Sequence, residues 1–194
     1  AKKGFDVTVW TSNINRDFEV YKNKKTVKKL NKVKIIYFRL DYFNFFKTNI
    51  FGYFYSSELY KFLKDNINKY DIVHSQINFN YFSYISLKLA QKNNIINFFS
   101  QRGTYSVERL KSKSFKKRLY LFFFEKKLLK NCTKLIALNE LEKKYYNNLG
   151  FYKKIIKIPN GINRIKHKSD RNISKFVKKD KINIIFLARI SRLK

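Results

Sequence analysis

The sequence predicts an α/β protein built on a parallel sheet, and three observations carry that expectation. Apolar runs of five to seven residues recur along the chain, amphipathic stretches at helical spacing separate them, and cap or turn residues stand at the junctions. Strands are predicted at Phe5 to Thr11 (FDVTVWT), Val33 to Phe38 (VKIIYF), Asp71 to Ser75 (DIVHS), Ile95 to Ser100 (IINFFS), Lys134 to Leu138 (KLIAL), Lys154 to Ile158 (KIIKI) and Ile182 to Ala188 (INIIFLA).

Each predicted helix has its own reason. Ser56 can cap a helix that carries Leu59, Phe62, Leu63 and Ile67 on one face. Phe79, Phe82, Ile85 and Leu89 recur at helical spacing in the next. A third is predicted from about Ser114 to Lys130. In the fourth, Asn139 and Glu142 form a capping box: Asn139 accepts from the first turn, Glu142 reaches back to the cap, and Gly150 closes the helix. The opening AKKG reads as a helix end stopped by Gly4, which predicts a preceding strand and helix.

A length of 194 residues suits one domain and the beginning of a second. Ile158 to Ile162 (IPNGI) holds the only Pro and an Asn-Gly turn, and the polar stretch from Asn163 to Lys181 reads as a linker. The predicted organisation is a first domain over 1–162 lacking its first strand, a linker over 163–181, and the first strand and loop of a second domain over 182–194.

Composition limits the function classes. Lys and Arg number 44 against 13 Asp and Glu, a formal charge of +31. Lys, Asn, Ile, Phe and Tyr all have A/T-rich codons, so base composition supplies part of that excess and the charge argues only weakly for a polyanion. A single cysteine, Cys132, forms no internal disulfide, and no Cys/His spacing suits zinc. A reducing, cytoplasmic setting is expected. The longest apolar runs fall far short of the roughly 20 residues that cross a bilayer, so any membrane contact is expected to be peripheral.

In a parallel sheet, ligands gather beyond the carboxyl ends of the strands. His74, the Arg102-Gly103 pair, and Arg189 with Lys194 fall at such positions. Arg189 and Lys194 could neutralise a diphosphate beside free N–H groups at a helix start; equally, they could be a chance pair in a lysine-rich chain. Gly103 permits close backbone approach and Arg102 can fork onto an acidic or hydroxylated ligand, or both can form a capped turn with an ion-paired Arg. His74 suits a general base, an acceptor-binding partner or a structural hydrogen bond. No nucleophilic triad, Walker loop or G-x-G-x-x-G is present.

Taken in order, KKGFDVTVWTSN, KYDIVHSQ, SQRGTYS, ALNELEKKYYNNLG, IKIPNGI and IIFLARISRLK resemble the family 4 glycosyltransferases of the GT-B fold. The resemblance spans nearly the whole chain. It implies two facing Rossmann-like domains with the active site between them. It also implies transfer of a sugar from a nucleotide-sugar donor to a glycan or lipid-linked acceptor, usually with retention and with neither metal nor other cofactor. By that resemblance Arg189 and Lys194 hold the donor diphosphate and serve catalysis. His74, Arg102 and Gly103 line the acceptor cleft, and Asn160 and Gly161 form the hinge. Many family members carry a His where Arg102 stands, so Arg102 is read as orienting hydroxyls or phosphate. The family's E-x7-E glutamates would lie beyond Lys194, and the stretch by itself is expected to be inactive.

Two other readings draw on different features. The charge with 18% aromatic residues could serve single-stranded nucleic acid or a non-catalytic binding module, but the cations are spread instead of striped, and no specific nucleic acid is expected. Phe115 to Lys130 (FKKRLYLFFFEKKLLK) could place the protein peripherally on an anionic membrane at its inner face, or could be a buried core helix.

Overall fold

The structure, a computed structural model, describes residues 4–15, 18–19, 25–41, 55–106, 115, 119–161 and 182. The chain divides into a unit from Ala1 to Pro159 and a second from Asn160 to Lys194. The predicted linker over 163–181 and the strand after Ile182 lie outside the described residues. Among the described residues, every strand and helix named below belongs to the first unit.

Strands β1 (Val7–Ser12), β2 (Ile14–Asn15), β3 (Phe18–Glu19), β4 (Thr26–Leu30) and β5 (Val33–Phe38) come first. They are followed by α1 (Ser57–Asn66), β6 (Ile72–Gln76), α2 (Tyr81–Lys92) and β7 (Ile96–Ser100). Then come a π turn (Leu121–Glu125), α3 (Lys126–Asn131), β8 (Lys134–Ala137), α4 (Glu140–Asn148) and β9 (Ile155–Lys157). β6, β7, β8 and β9 form a four-stranded sheet, parallel throughout. This is the Rossmann-like arrangement that the alternating pattern predicts.

A second sheet has the order β1-β5-β4. β1 and β5 pair in parallel, but β4 runs antiparallel to β5, an element the sequence reading does not anticipate. Its signal is weak because β4 is polar and mostly exposed. The two-residue turn joining it to β5 holds Asn31 and Lys32 at φ 49° and 66°, both left-handed as a tight hairpin needs, without the glycine that advertises such turns.

Two apolar clusters fix the helices. Ile36 and Phe38 of β5 and Val73 of β6 pack with Leu59 and Leu63 of α1 and Ile85 and Leu89 of α2. Phe99 of β7 with Leu135 and Ala137 of β8 pack against Leu87, Leu129, Cys132 and Tyr146. Burial pushes the Cys132 thiol up to about 12, so it acts as a packing group at neutral pH.

The helix caps follow the sequence, with one correction. Ser56 Oγ accepts from Leu59 N–H at 3.2 Å, and Asn139 Oδ1 accepts from Glu142 N–H at 2.9 Å. Glu142, however, does not close a capping box on Asn139. Its Oε2 accepts from Leu138 N–H at 2.8 Å, one residue earlier, because its other oxygen is engaged elsewhere.

Candidate functional site

β6 alternates strictly. Val73 and Ser75 are buried toward the helices, while Ile72, His74 and Gln76 face the other way. That alternation puts the His74 ring within reach of the next strand's end, where its Nε2 and Ser100 Oγ lie 2.8 Å apart. Although the residue as a whole is exposed, the ring lies close enough to the sheet to lose hydration. This desolvation, and secondarily the charge of Arg102, hold its pKa below the ordinary 6.5. His74 is therefore neutral at neutral pH, a hydrogen-bonding group and a base instead of a cation.

The same pKa shift shows that His74 and Arg102, 28 residues apart by number, share one electrostatic neighbourhood. Replacing Arg102 by Gln should raise the His74 pKa toward 6.5. NMR titration of the imidazole Cε1 proton reads this, with His167, the only other histidine, as reference. An unmoved midpoint would separate the two residues.

The Arg102-Gly103 turn is built from below. Arg102 takes φ 51° and Gly103 φ 71°, successive left-handed residues of which only the glycine is unstrained. Two buried side chains that the sequence reading passed over as site-builders hold this shape. Glu142 Oε1 accepts from Gly103 N–H at 2.5 Å. Gln101, fully buried, donates from Nε2 to the Glu142 carbonyl at 2.7 Å and accepts from Tyr105 N–H at 3.2 Å. Its own N–H donates to Tyr146 Oη at 3.1 Å, and its carbonyl accepts from Thr104 Oγ1. The turn is thus clamped to the start of α4.

A second clamp holds the loop after β6. Ile77 and Phe79 sit at φ 68° and 54°, unfavourable for side chains of their size and together worth a few kcal/mol at about 1–3 each. Phe79 N–H donates to Glu125 Oε1 at 2.8 Å, and Tyr105 Oη donates to Glu125 Oε2 at 2.9 Å. Asn78, 3% exposed, lies beside both groups and favours their charged forms. Burial outweighs these contacts and raises the Glu125 carboxyl to about 7. One carboxylate from the π turn therefore joins the loops that follow β6 and β7.

The structure thus sets His74 against Ser100, the last residue of β7 and two residues before the Arg102-Gly103 turn; His74 itself lies within β6 and not past its end, which corrects the position expected from the sequence. Asn160 and Gly161 are exposed, and Gly161 does not take a left-handed φ. Arg189 and Lys194 lie outside the described residues. Among the described residues no cluster of His, Cys, Asp or Glu could hold a metal ion, and no helix is long and apolar enough to cross a membrane.

Comparison with known proteins supplies the remaining finding. No curated protein matches the chain. The family model for Glycosyltransferase Family 4 matches residues 1–165, most of the 194-residue chain, a span that includes His74, Ser100, Arg102 and Gly103 but neither Arg189 nor Lys194. The parallel sheet and that match agree, and the chain belongs to glycosyltransferase family 4.

Proposed function

We propose that this chain supplies the acceptor-side domain of a hexosyltransferase that moves a sugar from a nucleotide-sugar to a glycan or lipid-linked acceptor. The setting is the assembly of a surface polysaccharide or lipopolysaccharide at the cytoplasmic face of a membrane, with retention of configuration. The reading rests on family membership and on one observation above others: neutral His74 of β6 meets Ser100 at the end of β7, next to the Arg102-Gly103 turn, and buried Glu142 and Glu125 hold the loops that follow these strands.

In this mechanism Arg102 and the neutral imidazole orient hydroxyl groups of the incoming acceptor by hydrogen bonds. Arg189 and Lys194 meet the charge that grows on the departing diphosphate as the glycosidic bond breaks, and cations fixed there in advance lower the barrier directly. The division after Pro159 fits a hinge between an acceptor side and a donor side.

The test uses a protein carrying both halves of the fold, assayed against nucleotide-sugars. Arg189→Ala with Lys194→Ala should lower kcat/KM by at least about 10³, given roughly 10²–10³ for each preorganised charge-stabilising group. Near-normal rates in the double variant would sink the diphosphate assignment. Absence of donor-dependent turnover with every nucleotide-sugar would sink the transferase reading itself.

A further inference from the structure

The stretch from Leu119 to Asn131 begins a layer of the core and also exposes an apolar patch that the core does not use. Leu129 is buried in the second cluster, and Glu125 is buried beneath the site loops. Between Leu119 and Glu125 the exposure reverses: Phe122, Phe123 and Phe124 are 68%, 65% and 47% exposed, and Leu119 is 41% exposed. The expectation of a core helix holds for Leu129 and fails for these phenylalanines.

The geometry has a physical cause. Three consecutive residues of an α-helix fan through about 200° at 3.6 residues per turn, which leaves only about 160° to face the core. Here the Lys126 N–H bonds to the Leu121 carbonyl, an i→i+5 bond, and the wider turn narrows the fan. Phe124 rests on Tyr120 and Tyr84, at ring distances of 5.5 and 6.0 Å. Phe122 and Phe123 meet edge to face at 5.2 Å, and both project outward.

Solvent-exposed aromatic groups at adjacent positions are costly unless something covers them. The chemistry flanking this patch selects the cover. Lys126, Lys127 and Lys130 follow it on the same exposed stretch. A further protein surface would need to bury the rings and also supply acid groups around them. An anionic lipid leaflet offers both at once: an apolar interior reached through a negatively charged surface.

We propose that Phe122 and Phe123 insert into an anionic bilayer surface while the flanking lysines rest on its headgroups, docking the protein through the π turn. The contact does not depend on glycosyl transfer. It does place the inserted rings within three residues of Glu125, which holds the loops after β6 and β7, so a docked protein presents that end of the sheet near the membrane.

Because a chain of charge +31 binds anionic vesicles through any basic face, binding alone decides nothing and the test must report on the patch. The full chain is mixed with vesicles of phosphatidylcholine and phosphatidylglycerol at about 0.15 M salt, where surface attraction is screened beyond about 8 Å. Phe122→Ser with Phe123→Ser should weaken partitioning at least tenfold, the loss expected when two apolar side chains no longer leave water. Separately, Phe123→Trp should shift its emission to shorter wavelength on adding these vesicles and not with phosphatidylcholine alone, while the unsubstituted chain, whose only tryptophan is Trp10, stays unmoved. Unchanged partitioning of the double Ser variant, or an unmoved emission from the Phe123→Trp variant, would overturn the proposal. So would lipid-free self-association that the double Ser substitution abolishes, since a second copy would then be the cover.

Discussion

Glu142→Ala is expected to destabilise the first unit by about 3–5 kcal/mol. The carboxylate accepts backbone N–H groups from Gly103 and Leu138, and charged hydrogen bonds of this kind contribute about 1.5–3 kcal/mol each. Truncation leaves two half-buried donors without an acceptor and releases a turn whose residues sit in left-handed conformations. For a domain of this size the melting midpoint should fall by roughly 10 °C. Glu142→Gln keeps one acceptor oxygen and should recover part of the loss. Thermal or urea unfolding decides the matter, and a cost under about 1 kcal/mol would mean that the turn holds itself.

The second large effect concerns pH. The Glu125 carboxyl is raised to about 7 by burial, from an ordinary value of 4.5. A raised folded pKa means that the native state holds its proton more tightly than the unfolded chain. Stability from this group is therefore fully present below about pH 4.5, is lost as pH rises through about 7, and is level above that. A shift of this size corresponds to about 3 kcal/mol at 1.36 kcal/mol per pKa unit. The groups facing the carboxylate are the Tyr105 hydroxyl, the Asn78 amide and the Phe79 N–H.

His74 works in the opposite sense. Its folded pKa lies below 6.5, so its contribution is present above that value and is lost as pH falls. Denaturant midpoints at about pH 5 and 8 should therefore be compared between His74→Asn and His74→Asn with Glu125→Gln. The single variant is expected to lose stability toward pH 8 by about 3 kcal/mol relative to the double variant. Equal pH dependence in the two would show that Glu125 titrates normally in the folded protein.

Legibility in the sequence followed the physics of each element. Strands buried on one or both faces, such as Val33–Phe38 and Lys134–Ala137, announce themselves by short, mostly apolar runs. Ser56 and Asn139 act as caps through bonds of three residues' reach, which a local pattern can show. β4 was not legible, because an exposed edge strand of lysines has no apolar signature and its turn uses Asn-Lys in place of glycine.

Within the site the division is similar. Arg102 and Gly103 stand just past β7, and their position in the chain points to them, whereas His74 sits within β6 and its outward face follows from strand alternation. Gln101 and Glu125 give no such sign, since their partners lie as far off as residues 142 and 79 and nothing local marks a buried Gln or Glu as a clamp.

The lysine-laced β4 has a consequence for how this protein behaves in bulk. β4 is the outer strand of its sheet, and Val27 and Leu30 on it are 50% and 61% exposed. Such a strand is a template on which another copy could continue the sheet. Lys28 and Lys29 sit between those apolar positions, so an approaching copy brings the same cations against them. Colloidal stability here is a matter of like charge, and like charge is screened over about 10 Å at 0.1 M salt and about 3 Å at 1 M. The protection of this edge thus belongs to the solvent as much as to the fold: dilute electrolyte keeps copies apart, and concentrated salt removes the barrier to sheet extension.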